Sequence, residues 1–330
     1  MRSSAQGRAG VSGASELSPG RARSLVRTLL SEYDTLWALF ILCFVSALLS
    51  DRFLTLKNIY NILLQASAVG TAAAGVTFVI ITGGIDLSIG SVFALTGIVL
   101  ARYEDYPPAA VIAGVLLLGA FWGLVNGTLV SRFRMPSFVT TFGTANVIAA
   151  CAYILCGGLP LHITSPVYRF LGSGKFLGLI PMPIIIYAAA LLLCNLILSR
   201  TVLGTYVYAM GGNQQASYLS GINVPVFRNL VWVFEGAVVA LGGIIYAVRL
   251  YNADPGIGPG ITLDAIASVV IGGTPFEGGY GSIFRTLVGT LIIGVLNNIC
   301  NILNISPFLQ ISIKGAVIIL AVLITKRRVT

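Results

Sequence analysis

Charged residues are scarce in this sequence. Asp, Glu, Lys and Arg together make up 9% of its 330 residues, whereas hydrophobic residues make up 56%. A soluble domain is usually about a quarter charged, so this composition excludes an ordinary soluble globular protein. Because apolar runs recur along nearly the whole length, we predict an all-α polytopic membrane protein.

Residue types that usually carry catalysis, metal binding or nucleotide binding are also few. His162 is the only histidine, and the sequence contains no HExxH or G-x-S-x-G motif. No Lys is followed by Ser or Thr, which excludes a Walker A phosphate-binding loop. The five cysteines lack the spacing of metal ligands. We therefore expect no catalytic residue, metal or cofactor in this chain; any ATP and Mg²⁺ that drive it would be bound by a partner subunit.

The basic residues are distributed as in membrane proteins, although the net charge is +9. Lys and Arg cluster at the ends of apolar runs, and this arrangement does not suggest nucleic-acid binding. If the N-terminus lies inside, most of these charges fall on the cytoplasmic side, in agreement with the positive-inside rule. The distribution therefore predicts that both termini are cytoplasmic.

The apolar runs predict about ten membrane segments. We place them at about 33–50, 58–82, 88–101, 107–130, 137–157, 181–198, 229–248, 261–273, 283–303 and 306–325. Residues 1–32 are rich in Ser, Gly and Arg and lack the apolar region of a cleaved signal peptide, so we predict a mobile cytoplasmic tail. Residues 33–330 are predicted to form a single transmembrane domain.

The stretch Val79–Leu95 places three glycines, an acid and a serine inside an apolar region. They are Gly83, Gly84, Asp86, Ser88 and Gly90. Irregular backbone survives in a membrane only inside protein or beside water, because each unpaired backbone group costs several kcal/mol in lipid. We expect two half-helices that meet at Gly83-Gly84, with Asp86 or Ser88 capping the second, beside a transport pathway. The alternative is a short cytoplasmic loop with a solvated Asp86.

A second break at Gly272–Ser282 resembles the first. The sequence Gly83-Gly84…Gly90-Ser91-Val92-Phe93 is matched by Gly272-Gly273…Gly281-Ser282-Ile283-Phe284, with two extra residues in the second copy. Duplicated breaks in two halves of a chain are typical of transporters. The alternative is chance similarity, since Gly-Gly pairs are common in membrane helices.

Several polar side chains within the apolar segments suit an uncharged, hydroxyl-rich substrate. The candidates for the pathway are Gln65, Asn126, Asn297 and Asn298, with Asn301 and Gln310 nearby. The alternative for each is interhelical hydrogen bonding, the commoner role of Asn and Gln in a bundle. Glu235 and Lys314 are the ionisable residues deep within predicted segments, which is few for a proton relay, and Lys314 could instead pair with an acid.

Five groups of motifs occur in an order that is similar to a known family. They are Gly75–Ser91 (the most specific), Gly123–Val130 with Met135–Thr140, Gly211–Ile222, Leu263–Gly273, and Asn297-Asn298 with Gln310 and Lys314-Gly315. Over about 35–325 the chain resembles the permease subunits of bacterial ribose/xylose/galactose-type ABC importers, the branched group of binding-protein-dependent permeases. The resemblance implies a multi-pass permease of the bacterial inner membrane that moves a monosaccharide inward.

The resemblance also implies partners and site residues. The partners are cytoplasmic ATP-binding subunits, a second permease copy or paralogue, and a periplasmic sugar-binding protein. The pathway would include the first break with Gly83, Gly84, Asp86 and Ser88. The polar stretch at 201–228 would contain an ATPase-coupling segment at about 204–222, with Gly212, Asn213, Gln215, Ala216, Ser220 and Gly221. This segment lacks the acidic residue that many relatives carry.

Two other functions are compatible with the sequence. A stand-alone secondary carrier or channel for a small polar solute is the main alternative, and the stretch at 201–228 would then be an ordinary amphipathic connector. A membrane enzyme comes third, since no catalytic constellation is present. The sequence leaves open which sugar is carried, whether the permease pair is identical, and what Glu277 and Arg285 do where small residues are expected.

Overall fold

The computed structural model describes residues 34–329, so the predicted tail at 1–32 lies outside the described residues. Helices dominate this part of the chain, as the composition predicts. They are α1 Asp34–Leu49, α2 Leu56–Ile81, α3 Ile89–Arg102, α4 Pro108–Ser131, α5 Ser137–Cys156, α6 Pro166–Ser173, α7 Met182–Arg200, α8 Val202–Gly212, α9 Gln214–Leu219, α10 Val224–Leu250, α11 Gly258–Ile271, α12 Ile283–Ile302 and α13 Pro307–Val329.

Within the described range, six helices are long and apolar enough to cross a membrane, namely α2, α4, α5, α7, α10 and α12. This makes the chain a multi-pass membrane protein. The shorter apolar helices α1, α3, α11 and the start of α13 coincide with the other four predicted segments. Helix α10 begins at Val224, several residues before the predicted position 229, because Pro225 is compatible with a first helical turn.

Short strands pin the loops at one end of the bundle. Strand β1 (Leu161–His162) pairs antiparallel with β4 (Asn252–Ala253), and β2 (Lys175–Phe176) pairs with β3 (Ile180–Pro181). A 3-10 helix, Pro255–Ile257, follows β4. The carboxylate of Glu104 accepts hydrogen bonds from Thr164 and from the backbone N–H of Ser165. These contacts order the segment that the sequence places outside the membrane, next to α6.

Helices α2 and α10 form the centre of the bundle. In the most apolar part of each helix, 83% of the residues of α2 and 72% of those of α10 are buried. The corresponding share is 22% in α4 and in α5, so these two helices lie at the periphery. Small residues let α2 occupy this position, because Ala72, Ala73 and Ala74 allow neighbouring helices to approach closely. The apolar outer faces of the peripheral helices suit contact with lipid.

Glycines bring α4 and α10 into backbone contact. Gly119, Gly123 and Gly127 recur at every fourth residue and share one face of α4. A Cβ at Gly119 would overlap the carbonyl oxygen of Gly236 on α10, and a Cβ at Gly236 would overlap that of Gly119. Such spacing of small residues is typical of closely packed membrane helices. The contact places Asn126, also on α4, beside the break that follows α2.

Candidate functional site

The first break begins where α2 ends in a Schellman motif. The N–H of Gly83 donates to the carbonyl of Ile80 and that of Gly84 to the carbonyl of Val79, both at 2.9 Å. Gly83 adopts φ +75°, which favours glycine at this position. The predicted half-helix before the break is wrong, because α2 has 26 residues and can cross a membrane by itself. Of the two helices that flank the break, only α3, with 14 residues, is short.

Asp86 is buried at the break, with 2% exposure, so the alternative of a solvated loop is wrong. Its Oδ1 accepts hydrogen bonds from the backbone N–H of Ser88 at 2.6 Å and from the Ser88 hydroxyl at 2.7 Å. A buried carboxylate requires such donors, since desolvation without them is costly. Asp86 therefore organises the residues that lead into α3.

The predicted capping of α3 by the Ser88 side chain is wrong, whereas Asp86 accepts the N–H of Ser88, the residue that precedes α3. Ser88 precedes α3, but its backbone is already helical and its side chain makes no capping hydrogen bond. An N-cap residue normally has an extended backbone, which places its oxygen over the free N–H groups. Instead, the N–H of Gly90 donates to Oγ1 of Thr262 on α11 at 3.0 Å. A residue distant in sequence thus supplies the missing acceptor.

Hydroxyl groups on α5 satisfy the irregular backbone of the break. The N–H of Ile85 donates to Oγ of Ser137, and the N–H of Leu87 donates to Oγ1 of Thr141. Backbone groups at membrane depth must form hydrogen bonds within the protein, and these two contacts provide acceptors for two of them. Sequence reasoning missed this role, although Ser137 and Thr141 are four residues apart on one helix face, a spacing that could have indicated it.

A side-chain network connects the break to two peripheral helices. Nδ2 of Asn126 donates to Oγ of Ser88 at 2.8 Å, and Oγ1 of Thr144 donates to Oδ1 of Asn126 at 2.7 Å. Asp86, Ser88, Asn126 and Thr144 therefore form one chain of hydrogen bonds that joins α3, α4 and α5. Of the residues predicted for the pathway, this network brings together Asp86, Ser88 and Asn126.

A second buried acid faces Asp86. Glu235 on α10 is 1% exposed, and its carboxyl group lies within hydrogen-bonding reach of the Asp86 carboxyl. Neither acid has a basic partner among the described residues. Two adjacent buried carboxylates would repel each other, so the proximity of these acids is costly to the fold.

The second break begins with the same geometry as the first. The N–H of Gly273 donates to Val270, the N–H of Thr274 donates to Val269, and Gly273 has φ +94°. Gly83 therefore corresponds to Gly273, whereas the sequence similarity pairs it with Gly272. The pairing of Ser91 with Ser282 fails as well, since Ser282 caps α12 whereas Ser91 already lies inside α3.

The two breaks meet beside α8. The N–H of Gly279 donates to the carbonyl of Ile81 at 2.8 Å, and the hydroxyl of Tyr208 on α8 donates to the carbonyl of Gly281 at 2.7 Å. Gly211 packs against the backbone of Ile81 and Gly279. A displacement of α8 would therefore act on both breaks together.

The predicted coupling segment forms the short exposed helix α9. Oδ1 of Asn213 caps it by accepting the N–H of Ala216 at 2.9 Å, and Gly221 ends the segment with φ +88°. All six predicted coupling residues are exposed. Tyr218 and Leu219 also project from α9, with 66% and 76% exposure. Since α9 follows α8 directly, it is a surface through which a partner could act on the breaks.

A cavity of about 1060 Å³ separates α9 from the first break. Asn213, Gln215 and Tyr218 line it on the side of α9, and Gly83 lines it on the side of the break. Ser137, which holds the backbone of the break, also contributes to the wall. Helix α9 and the first break therefore face one space.

The remaining predicted pathway residues lie near the opposite end of α2. Asn298 and Asn58 exchange hydrogen bonds of 2.8 and 2.9 Å between their amides, and this contact joins α12 to α2. Asn297 contacts Asp264 at 3.5 Å. Gln65 lies partly exposed on α2. These residues do not join the network around Asp86, because nearly the whole length of α2 separates the two groups.

Lys314 pairs with an acid from a neighbouring helix. Its Nζ lies 2.9 Å from both carboxylate oxygens of Asp264, and the two side chains are 22% and 12% exposed. The pair connects α11 with α13. At this depth an ionised side chain normally requires such a partner. Arg285, at the start of α12, also lies over the ring of Tyr280, with its Cζ 5.0 Å from the ring centroid.

Comparisons with known proteins agree with this architecture. Residues 58–322 match the family described as the branched-chain amino acid transport system / permease component. The ribose import permease RbsC of Escherichia coli K12 is 39% identical over 312 residues, covering 93% of this chain and 97% of its own. RbsC of Bacillus subtilis is 40% identical over 297 residues (88% and 91%), and the E. coli D-allose permease AlsC is 36% identical over 296 residues (88% and 90%).

A solved structure has a similar fold. It is an inward-facing conformation of an ABC transporter of metal-chelate type, with a TM-score of 0.51 and 17% sequence identity. The similarity covers 87% of this chain and 98% of that chain. At this identity the likeness concerns the fold alone.

Proposed function

We propose that this chain, which belongs to the branched-chain amino acid transport system / permease component family, is the transmembrane permease subunit of an ATP-driven importer of the bacterial inner membrane. Its substrate is a monosaccharide, in keeping with the ribose and allose permeases it resembles. The observation that carries the proposal is the exposed helix α9, which continues from α8 beside both breaks. ATP and Mg²⁺ bind the partner subunit, and this chain hydrolyses no ATP.

In this proposal, about ten segments enter the membrane and both termini are cytoplasmic. An ATP-binding subunit docks on the coupling residues Gly212, Asn213, Gln215, Ala216, Ser220 and Gly221. Closure of the ATP-binding subunits moves α9 and α8, and the contacts of α8 pass this movement to the two breaks. A rigid-body switch of this kind between two packed states opens the pathway to alternate sides of the membrane. The pathway includes Gly83, Gly84, Asp86, Ser88, Asn126 and, toward its other end, Gln65, Asn297 and Asn298.

Two other partners complete the importer. A second permease, either a copy of this chain or a paralogue, forms the other half of the pathway. A periplasmic sugar-binding protein delivers the substrate to the outer loops between α5 and α7. The distribution of Lys and Arg supports this orientation.

Gly221→Trp tests the coupling segment. Gly221 has φ +88° and open space where a side chain would begin, so a Trp would strain the turn and project into the docking surface. We expect ATP-dependent uptake of labelled ribose, arabinose or allose into membrane vesicles to be abolished while the amount of inserted protein stays the same. Unchanged uptake of the transported sugar would contradict the coupling role.

Asp86→Ala tests the first break. Loss of the carboxylate leaves the N–H and hydroxyl of Ser88 without their acceptor, and we expect uptake to fall. Normal uptake would show that this network is dispensable for transport.

A stand-alone carrier is the second candidate, and the pairing of Asp86 with Glu235 favours it. Two buried acids side by side within the bundle could couple transport to protonation. Uptake in cells that lack the partner ATP-binding subunit distinguishes the two functions. The importer requires that uptake is lost, whereas a carrier would retain it.

A further inference from the structure

The cavity between α9 and the first break contains two arginines without counterions. Arg134 lies in the turn between α4 and α5, and Arg228 lies near the start of α10. Neither guanidinium has a carboxylate partner in the described part of the chain. Nε of Arg228 is buried without a hydrogen-bond partner. Since no residue that lines the cavity is acidic, the described residues leave its positive charge without a counterion.

The backbone of Arg134 indicates that its side chain has a role. Arg134 adopts φ +55°, a conformation in which Gly or Asn is far more common. A residue kept in such a conformation stores strain that glycine would avoid, and such strain often marks a functional position. Arg134 is exposed and forms no ion pair with an acid among the described residues.

The coupling helix itself carries no charge, since it reads Gln-Gln-Ala-Ser-Tyr-Leu. A partner that covered this surface with apolar groups alone would bury the charge of Arg228 further and pay for its desolvation. A partner that supplied carboxylates would instead form charge-assisted hydrogen bonds with both guanidinium groups. The positive charge of the cavity therefore favours a partner surface that carries acidic side chains.

We propose that an acidic segment of the ATP-binding subunit enters this cavity and pairs its carboxylates with Arg134 and Arg228. The inference rests on the proposed function and identifies the chemistry of its docking partner. A cavity of about 1060 Å³ accommodates several side chains. Because Gly83 lines the same cavity, the inserted segment contacts the end of the first break directly, in addition to acting through α8.

The test removes the charge at these two positions. The tagged chain is expressed with its ATP-binding subunit, and the subunit retained per permease is measured in mild detergent at increasing NaCl concentration. We expect Arg134→Gln/Arg228→Gln to lower retention at least about tenfold at low salt. Arg132→Gln is the matched control and should retain the subunit as the wild type does, because Arg132 lies in the same turn, is exposed and does not line the cavity.

The outcomes separate this inference from the proposed function. A wild-type chain that retains no ATP-binding subunit contradicts the proposed function and, with it, the inference. Retention by the wild type together with equal retention by the double variant overturns the inference alone. Equal retention accompanied by loss of co-purified phosphatidylglycerol also overturns it, because the arginines would then bind lipid headgroups.

A second measurement keeps both arginines and therefore does not depend on the folding of the variants. A photo-crosslinking amino acid replaces Tyr218, which lines the cavity and is exposed. We expect it to crosslink to a segment of the ATP-binding subunit that is rich in Asp and Glu, as identified by mass spectrometry. Crosslinks confined to a segment without acidic residues would contradict the proposal.

Discussion

Gly123 provides the sharpest test of how the bundle is packed. A Cβ at this position would overlap the carbonyl oxygen of Trp232 and lie 2.8 Å from its carbonyl carbon and 3.0 Å from Cα of Val233. All three are backbone atoms, so no side-chain rotation relieves the contact. Carbon atoms normally pack at about 3.5–4.0 Å, so Gly123→Ala must separate α4 from α10 by about 0.7 Å or more.

The expected loss of stability follows from two opposing contributions. Overpacking costs about 1–3 kcal/mol, and the rigid backbone neighbour favours the upper end of this range. Replacing Gly by Ala within a helix stabilises the helix by about 1 kcal/mol, because Ala has the higher helix propensity. We therefore expect Gly123→Ala to destabilise the protein by about 2 kcal/mol. Gly114→Ala, in the same helix and with no atom within 4 Å of the new Cβ, retains only the favourable contribution.

The assay is unfolding of the purified protein in mild detergent, followed by the fluorescence of its tryptophans. Trp232 is fully buried at this contact and reports its opening. We expect a lower midpoint for Gly123→Ala and an equal or higher midpoint for Gly114→Ala. Equal midpoints for the two variants would refute the backbone contact between α4 and α10. Uptake should fall in Gly123→Ala as well, because α4 carries Asn126 to the hydroxyl of Ser88.

Three further predictions concern polar contacts. Asp264→Asn and Lys314→Met should each lower the free energy of unfolding, and the double variant should lose less than the sum of the two losses. A double-mutant cycle should give a coupling energy of about 1–3 kcal/mol. Strict additivity would show that the pair does not contribute to stability. Asn298→Leu leaves Oδ1 of the buried Asn58 without its donor and should lower the free energy of unfolding in denaturant by about 1–3 kcal/mol. Unchanged stability would count against this contact. Burial raises the pKa of Glu104, but hydrogen bonds from Thr164 and Ser165 outweigh this effect and lower the pKa overall. Its stabilising contribution is therefore present above its unfolded pKa of about 4.3 and is lost as the pH falls through the lower folded value. Wild type should exceed Glu104→Gln in stability at neutral pH and converge with it in acid, whereas a constant difference would contradict the ionised contact.

Features that depend on neighbouring residues were accessible from the sequence. The apolar runs located the helices, because length and hydropathy are local properties of the chain. The glycine pairs marked both breaks, since only glycine ends a helix readily at positive φ, as at Gly83 and Gly273. The register between the two breaks was misjudged by one residue, because that register depends on which glycine takes the left-handed position.

Contacts between distant segments were not accessible in the same way. The acceptor for the N–H of Gly90 is Thr262, more than 170 positions later, and no local pattern identifies it. The sequence showed that Asp86 and Glu235 are acidic and lie in apolar surroundings, but not that they face each other. It also gave no sign that Arg134 and Arg228 line one cavity.

The sequence by itself determined that this chain is a helical membrane protein, where its helices break and which family it resembles. The tertiary structure decided that Asp86 is buried rather than solvated, that Asn126 and Asn298 bind neighbouring helices, and that the exposed helix α9 shares a cavity with the first break. The physical reason is that apolar periodicity and glycine act over a few residues, whereas hydrogen bonds and cavities depend on how complete helices pack.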